Sequence, residues 1–224
     1  MPNRLLLNAR FQSSKLYCTS LPKSPKSVRV RKIELQNKAW SSTLSASRHP
    51  WQFFLIEPKR AFPSKRPFIL YSHGGSFVTT FHPLHFSYLY DLVERTGATV
   101  LAHDYPRPPG GTSHEETFEV LVELLSSLLE PSAALTSSSS SSRLSPDEQH
   151  LLDAAQARTK LVFAGDSAGG GISLSLCLEL LERKLDALLP DDAILIAPAL
   201  DGRLPDAEAH DAKASSSTSW RVFS

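Results

Sequence analysis

Leu161-Val162-Phe163-Ala164-Gly165-Asp166-Ser167-Ala168-Gly169-Gly170-Gly171 is the stretch whose reading decides the fold. An apolar run of strand length stops at Gly165, turns through Asp166, Ser167 and Ala168, and opens into glycines ahead of a long apolar segment that suits a helix. The turn carries Gly-x-Ser-x-Gly, the spacing of a nucleophile elbow. A serine at the tip of so sharp a turn needs strained backbone angles, and the residues two positions away on either side must lack bulk. Gly165 and Gly169 meet that need. The helix that follows aims its free N–H groups and positive dipole end at whatever oxyanion forms beside Ser167. The plainer alternative is a glycine-rich turn that packs a helix on a strand.

A second element lies upstream. Tyr71-Ser72-His73-Gly74-Gly75-Ser76-Phe77 directly follows the apolar run Pro67 to Leu70. Acyl transfer needs N–H donors aimed at a tetrahedral oxyanion. Gly74, Gly75 and Ala168 are the expected donors, with His73 holding the loop and Asp166 supporting the elbow motif.

These residues resemble the hormone-sensitive-lipase-like branch of the α/β-hydrolases, which contains carboxylesterases, acetyl esterases and deacetylases. His73-Gly74-Gly75 is similar to its oxyanion motif, with Ser76 where the branch usually has glycine or alanine. Asp104-Tyr105 and the prolines after it resemble a degraded Asp-Tyr-Arg-Leu-Ala-Pro-Glu block, and Gly165 to Gly170 is the branch's elbow unchanged. Ala197-Pro198-Ala199-Leu200-Asp201 is similar to its Ser-Pro-Trp-x-Asp strand end. The resemblance covers Trp51 to Asp201. It implies an α/β fold with a mostly parallel sheet and flanking helices, a small acyl-ester substrate, no cofactor, and a histidine base and acid well beyond Ser224. The chain as written is therefore expected to lack the last strands and its triad partners, and to keep at most the residual catalysis of an oxyanion hole. The alternative from another class is a non-catalytic ligand-binding or regulatory pseudoenzyme.

Composition bounds the rest. The chain has 224 residues, 24 Lys plus Arg against 23 Asp plus Glu, and a net charge of +1, which points to neither nucleic acid nor an acidic partner. Its two cysteines, Cys18 and Cys177, suit a reducing, intracellular setting. Residues 1–32 carry eight Lys or Arg and no acid, a pattern shared by mitochondrial transit peptides and by basic disordered tails. The domain is expected over 33–202, with a serine-rich insertion at 131–146 around Ser137 to Ser142 and a disordered tail at 203–224.

No run reaches the length of a transmembrane helix, and the histidines lack the paired spacing of a metal set, so no metal is expected. Oligomeric state is not legible. Strands are expected at Val28–Glu34, Trp51–Glu57, Phe68–Ser72, Thr99–His103, Leu161–Ala164 and Ala193–Ala197. Helices are expected at Pro83–Thr96, Glu115–Glu130, Pro146–Ala157 and Gly170–Leu189. A capping box is expected at Ser113 and Glu116. His82 and His85 are placed near the oxyanion loop, His103 in a structural hydrogen bond, and His49, His114 and His150 in solvated loops. Asp201 or Asp206 with His210 is the one substitute triad whose order fits.

Overall fold

The structure, a computed structural model, describes residues 21–35, 51–59, 65–106, 113–131 and 144–200. Among the described residues six strands form one sheet in the order β1-β2-β4-β3-β5-β6. They are β1 Val28–Ile33, β2 Gln52–Pro58, β3 Arg66–Ser72, β4 Thr99–Asp104, β5 Arg158–Asp166 and β6 Asp192–Ile196. β1 pairs antiparallel with β2, and β2 with β4; the ladders of β4, β3, β5 and β6 are parallel. The helices are α1 Pro83–Thr96, α2 His114–Leu129, α3 Pro146–Gln156 and α4 Ala168–Glu182, with a short 3₁₀ turn at Asp186–Leu188.

Alternation along the strands divides the core between the two faces of the sheet. On β2, Phe53 and Leu55 join one cluster while Phe54 and Ile56 join the other. The first cluster takes Phe118, Leu121 and Leu125 from α2, Leu151 and Leu152 from α3, and Ile172, Leu176 and Leu180 from α4. The second takes Phe86, Leu89 and Val93 from α1, the one described helix that contributes to it. Strand, helix and strand thus make the expected α/β layering, and the parallel strands end together at the loops that carry His73 and Ser167.

Local chemistry sets the helix limits. α1 opens on Pro83 and closes at Gly97, whose φ of 69° supplies the left-handed stop. α2 is capped by the Ser113 side chain, which accepts from the Glu116 N–H. The reciprocal bond of a capping box is present instead at α3, where Ser145 and Glu148 each accept from the other's N–H.

Several expected boundaries are corrected. Val28 to Lys32 belong to β1 and pair with β2, as the strand expected at Val28–Glu34 has it, so the domain begins before residue 33 and the basic leader ends before Val28. The insertion ends earlier than 146, because Leu144 is buried in the core, Ser145 caps α3 and Pro146 is its first residue. α4 starts at Ala168 and stops at Glu182 rather than running from Gly170 to Leu189. Lys184 takes the left-handed position at φ 58°, and the bonds Leu185 N–H to Leu180 O and Lys184 N–H to Leu181 O close a Schellman stop. His150 lies on α3, not in a loop, and its Nε2 meets Glu57 Oε2 at 2.9 Å. His114 is the first residue of α2. His49, Cys18, Ser137 to Ser142, Asp201, Asp206, His210 and the 203–224 tail lie outside the described residues.

β6 is the outer strand among the described residues, with Ile194 and Ile196 about 40% and 39% exposed. No described helix is long and apolar enough to cross a membrane.

His103, fully buried at the end of β4, gives the fold an acid limit. Its Nε2 lies 2.8 Å from Ser72 Oγ, and burial, reinforced by His73 and opposed by Asp104, lowers its pKa to about 3. The unfolded chain takes up a proton near pH 6.5 while the folded chain does not until about 3, so this contribution is full above 6.5 and is lost as pH falls between those values. Unfolding free energies from denaturant titrations at pH 7, 5 and 4 should fall by roughly 1 kcal/mol per pH unit. In His103→Gln the slope should be visibly shallower; parallel slopes would refute the assignment.

Candidate active site

Ser167 sits between β5 and α4 with φ 48° and ψ −119°, a strained conformation for a residue with a side chain. The surroundings over-determine it. Its N–H donates to Ile196 O at 2.9 Å, and its carbonyl accepts from Ala199 N–H at 2.9 Å and Gly171 N–H at 3.1 Å. A Cβ on Gly165 would lie 2.3 Å from Gly169 O, and one on Gly169 would lie 1.9 Å from Ser72 O. Both contacts are with backbone, so only glycine fits at either position. Ala168 is the first residue of α4, and its N–H is among the amides that the helix itself cannot pair.

The facing loop is equally strained. Gly75, Ser76 and Phe77 follow one another at φ 119°, 54° and 59°, and the Gly75 carbonyl accepts from the N–H groups of Val78 and Thr79. Among the described residues, neither the Gly75 nor the Ser76 N–H donates a hydrogen bond. A serine in the left-handed region costs about 1–2 kcal/mol. Ser76→Gly relieves that strain and gives back part of it as unfolded-state entropy. The expected net gain is about 0.5 kcal/mol, or roughly 1–2 °C in Tm by calorimetry. A lower Tm would mean that the serine hydroxyl makes a contribution of its own.

His73 anchors this loop from below. Its Nδ1 lies 2.6 Å from Gly74 O and its Nε2 3.1 Å from Asp104 Oδ1, and its ring stacks on Tyr105 at 4.5 Å. Asp104 Oδ1 also accepts from Phe81 N–H, and Tyr105 donates its hydroxyl to His73 O. His73 and Asp104 are completely buried.

Asp166 joins the two halves of the site. Its Oδ1 accepts from Tyr71 OH at 2.5 Å and from Gly74 N–H at 2.9 Å, while Oδ2 lies 3.6 Å from His85 Nε2. Burial raises the carboxyl, but the polar hydrogens of His85, Tyr71 and Gly74 outweigh it and lower its pKa to about 2. Burial, together with this carboxylate, pushes the Tyr71 hydroxyl up, and the same two causes raise Tyr88.

The sequence reading singled out Ser167, Ala168, Gly165, Gly169, His73, Gly74, Gly75 and Asp166, and missed Tyr71, Ser76 and the contact of His85 with Asp166. It also expected the Gly74 amide to face the oxyanion, whereas that amide donates to Asp166.

His85 has no lone pair free for the serine. Its Nδ1 accepts the His82 N–H at 2.9 Å, so its proton is on Nε2, the nitrogen that faces Asp166. Among the described residues no histidine is hydrogen-bonded to Ser167 Oγ. No described group of three His, Cys, Asp or Glu could hold a metal ion.

The profile of the alpha/beta hydrolase fold matches residues 69–222, well over half of the sequence, and takes in both glycine motifs. The chain belongs to that family. Among solved structures, this hydrolase chain is similar to carboxyl esterase 2 of the mycorrhizal fungus Tuber melanosporum, with 21% identity and a TM-score of 0.58. That match covers 90% of this chain and 55% of the fungal one. An esterase of the bacterial hormone-sensitive lipase family is similar at 19% identity and TM-score 0.53, covering 80% and 47% of the two chains. A fungal esterase of Rhizomucor miehei is similar at 20% identity and TM-score 0.52, covering 89% and 52%. The hydrolase chain thus spans about half the length of these relatives, and at such identities the likeness shows the fold. No curated protein matches it in sequence.

Proposed function

We propose that this hydrolase is a carboxylester hydrolase of the serine esterase type, with Ser167 as nucleophile. The observation that carries the reading is the backbone of Ser167, held at φ 48° and ψ −119° at the tip of the strand-to-helix turn by glycines that nothing larger can replace. Strain of that kind persists where the surroundings impose it, and it presents the hydroxyl at the end of the parallel strands. The esterase names of its structural relatives agree with the reading. Ser167 Oγ attacks an ester carbonyl and forms a tetrahedral oxyanion, which the Ala168 and Gly75 amides receive. The Ser76 amide takes the third place, since the Gly74 amide is held by Asp166. The general base and its acid come from outside the described residues, and an intracellular location is part of the same proposal.

A second reading, a pseudoenzyme that binds an acyl ligand without turnover, is favoured by one observation: no described histidine bonds Ser167. Mass spectrometry of the 224-residue chain after treatment with a fluorophosphonate separates the two. Modification at Ser167, abolished in Ser167→Ala, is expected, with kcat/KM on a short-chain nitrophenyl ester below about 10⁴ M⁻¹s⁻¹. A cooperatively folded sample that stays unmodified would leave the binding module standing.

A further inference from the structure

Asp166 sits one residue before the nucleophile, yet among the described residues its carboxylate bonds to Tyr71, Gly74 and His85 and not to Ser167's own side chain. Instead it gathers three other elements. Tyr71 comes from β3, 95 residues away in sequence, Gly74 from the oxyanion loop, 92 residues away, and His85 from the first turn of α1. Two donors converge on Oδ1, which a carboxylate oxygen accommodates with its two lone pairs. The fit is close: a Cβ on Gly74 would lie 2.3 Å from Asp166 Oδ2 and 2.7 Å from Asp166 O, so the loop lies flat on this residue.

We propose that Asp166 is a positioning residue for the chemistry at Ser167, its carboxylate clamping Gly74 so that the amides of Gly75 and Ser76 face the elbow. The proposal rests on the reading of Ser167 as nucleophile. The next two amides after Gly74 donate to nothing among the described residues, and their left-handed backbone turns the chain sharply just past the clamp. Fixing the first amide therefore fixes where the next two point. The charge of Asp166 matters as well as its shape. Because the His82 N–H occupies His85 Nδ1, the other nitrogen presents N–H toward Oδ2, and an amide nitrogen placed there by Asp166→Asn would set donor against donor. The low pKa of the carboxyl keeps it ionised near neutral pH.

The test uses the whole 224-residue chain as wild type, Asp166→Asn and Tyr71→Phe. The second-order rate of fluorophosphonate modification at Ser167 is measured well below each variant's thermal midpoint and expressed per folded molecule. Asp166→Asn is expected to slow modification by about 10- to 100-fold, the scale on which small misplacements of catalytic groups act. Tyr71→Phe, which leaves the Gly74 bond in place, should slow it about 3-fold, less than a lost oxyanion donor would. A merely structural aspartate would lower the midpoint and leave the rate per folded molecule at the wild-type value, and that outcome overturns the proposal while sparing the nucleophile. Wild type that is folded and unmodified overturns the nucleophile reading itself. Should Asp166→Asn fail to fold, Asp166→Glu, which keeps the charge but moves its oxygens away from the Gly74 N–H, is measured in its place, and a wild-type rate per folded molecule in that variant overturns the clamp.

Discussion

Gly169→Ala should destabilise the chain by about 4 kcal/mol, beyond the 1–3 kcal/mol usual for an overpacked core. The added methyl would stand 1.9 Å from Ser72 O, 2.4 Å from Ser72 C and 2.6 Å from His73 C, and all three atoms are main chain. No rotamer change relieves such a contact. Either α4 lifts from the end of β3 or the elbow opens. Lifting α4 also pulls Ile172 and Leu176 out of the core and frees Ser173 Oγ from Ala164 O. A fall in Tm of roughly 8–16 °C is expected for a chain of this size. Differential scanning calorimetry of Gly169→Ala, or proteolysis where expression is poor, checks it. A variant melting within a few degrees of wild type would mean that helix and loop are packed more loosely than the geometry states.

Asp104→Ala ranks second. Its carboxylate serves His73 Nε2 and the Phe81 N–H, and all of these groups are buried. Removing one partner of a buried pair typically costs 3–5 kcal/mol, because the other is left without compensation. The damage should also reach function: freed from Asp104, His73 loses the contact that sets its ring against Gly74 O and Tyr105. Chemical denaturation is expected to register a loss of about 4 kcal/mol for Asp104→Ala and about half that for Asp104→Asn, which keeps an acceptor. Equal midpoints for wild type and Asp104→Ala would show that the pair contributes nothing net to folding.

How much of this was legible depends on the range of the interaction. The elbow was readable because its constraint is local: within five residues a strained serine needs a glycine on either side, and the contacts of Gly165 and Gly169 bear that out. α1 was readable from end to end because proline opens it and glycine closes it. Where the usual residue types are replaced, the signal disappears. Lys184 ends α4 in the position that glycine normally holds, so the pattern invited a helix running on to Leu189. The cap of α1 is built from His82 and His85 in place of Ser or Thr with Glu. Residues meeting across the chain were invisible in principle. Nothing local to Asp166 announces Tyr71 or Gly74, and nothing near His150 announces Glu57. The direction of the Gly74 amide was misjudged for the same reason.

The pairing of β3 with β5 has a kinetic consequence. It is the parallel ladder on which the nucleophile and its facing loop are brought together, and the contacts it carries, such as Tyr71 to Asp166, span 95 residues. Closing so long a loop costs entropy before any contact is rewarded, so non-local ladders of this kind form slowly. During synthesis four of the six described strands, β1 to β4, have been made before β5. Ser167 can therefore meet its facing loop only after the chain has grown some ninety residues past that loop.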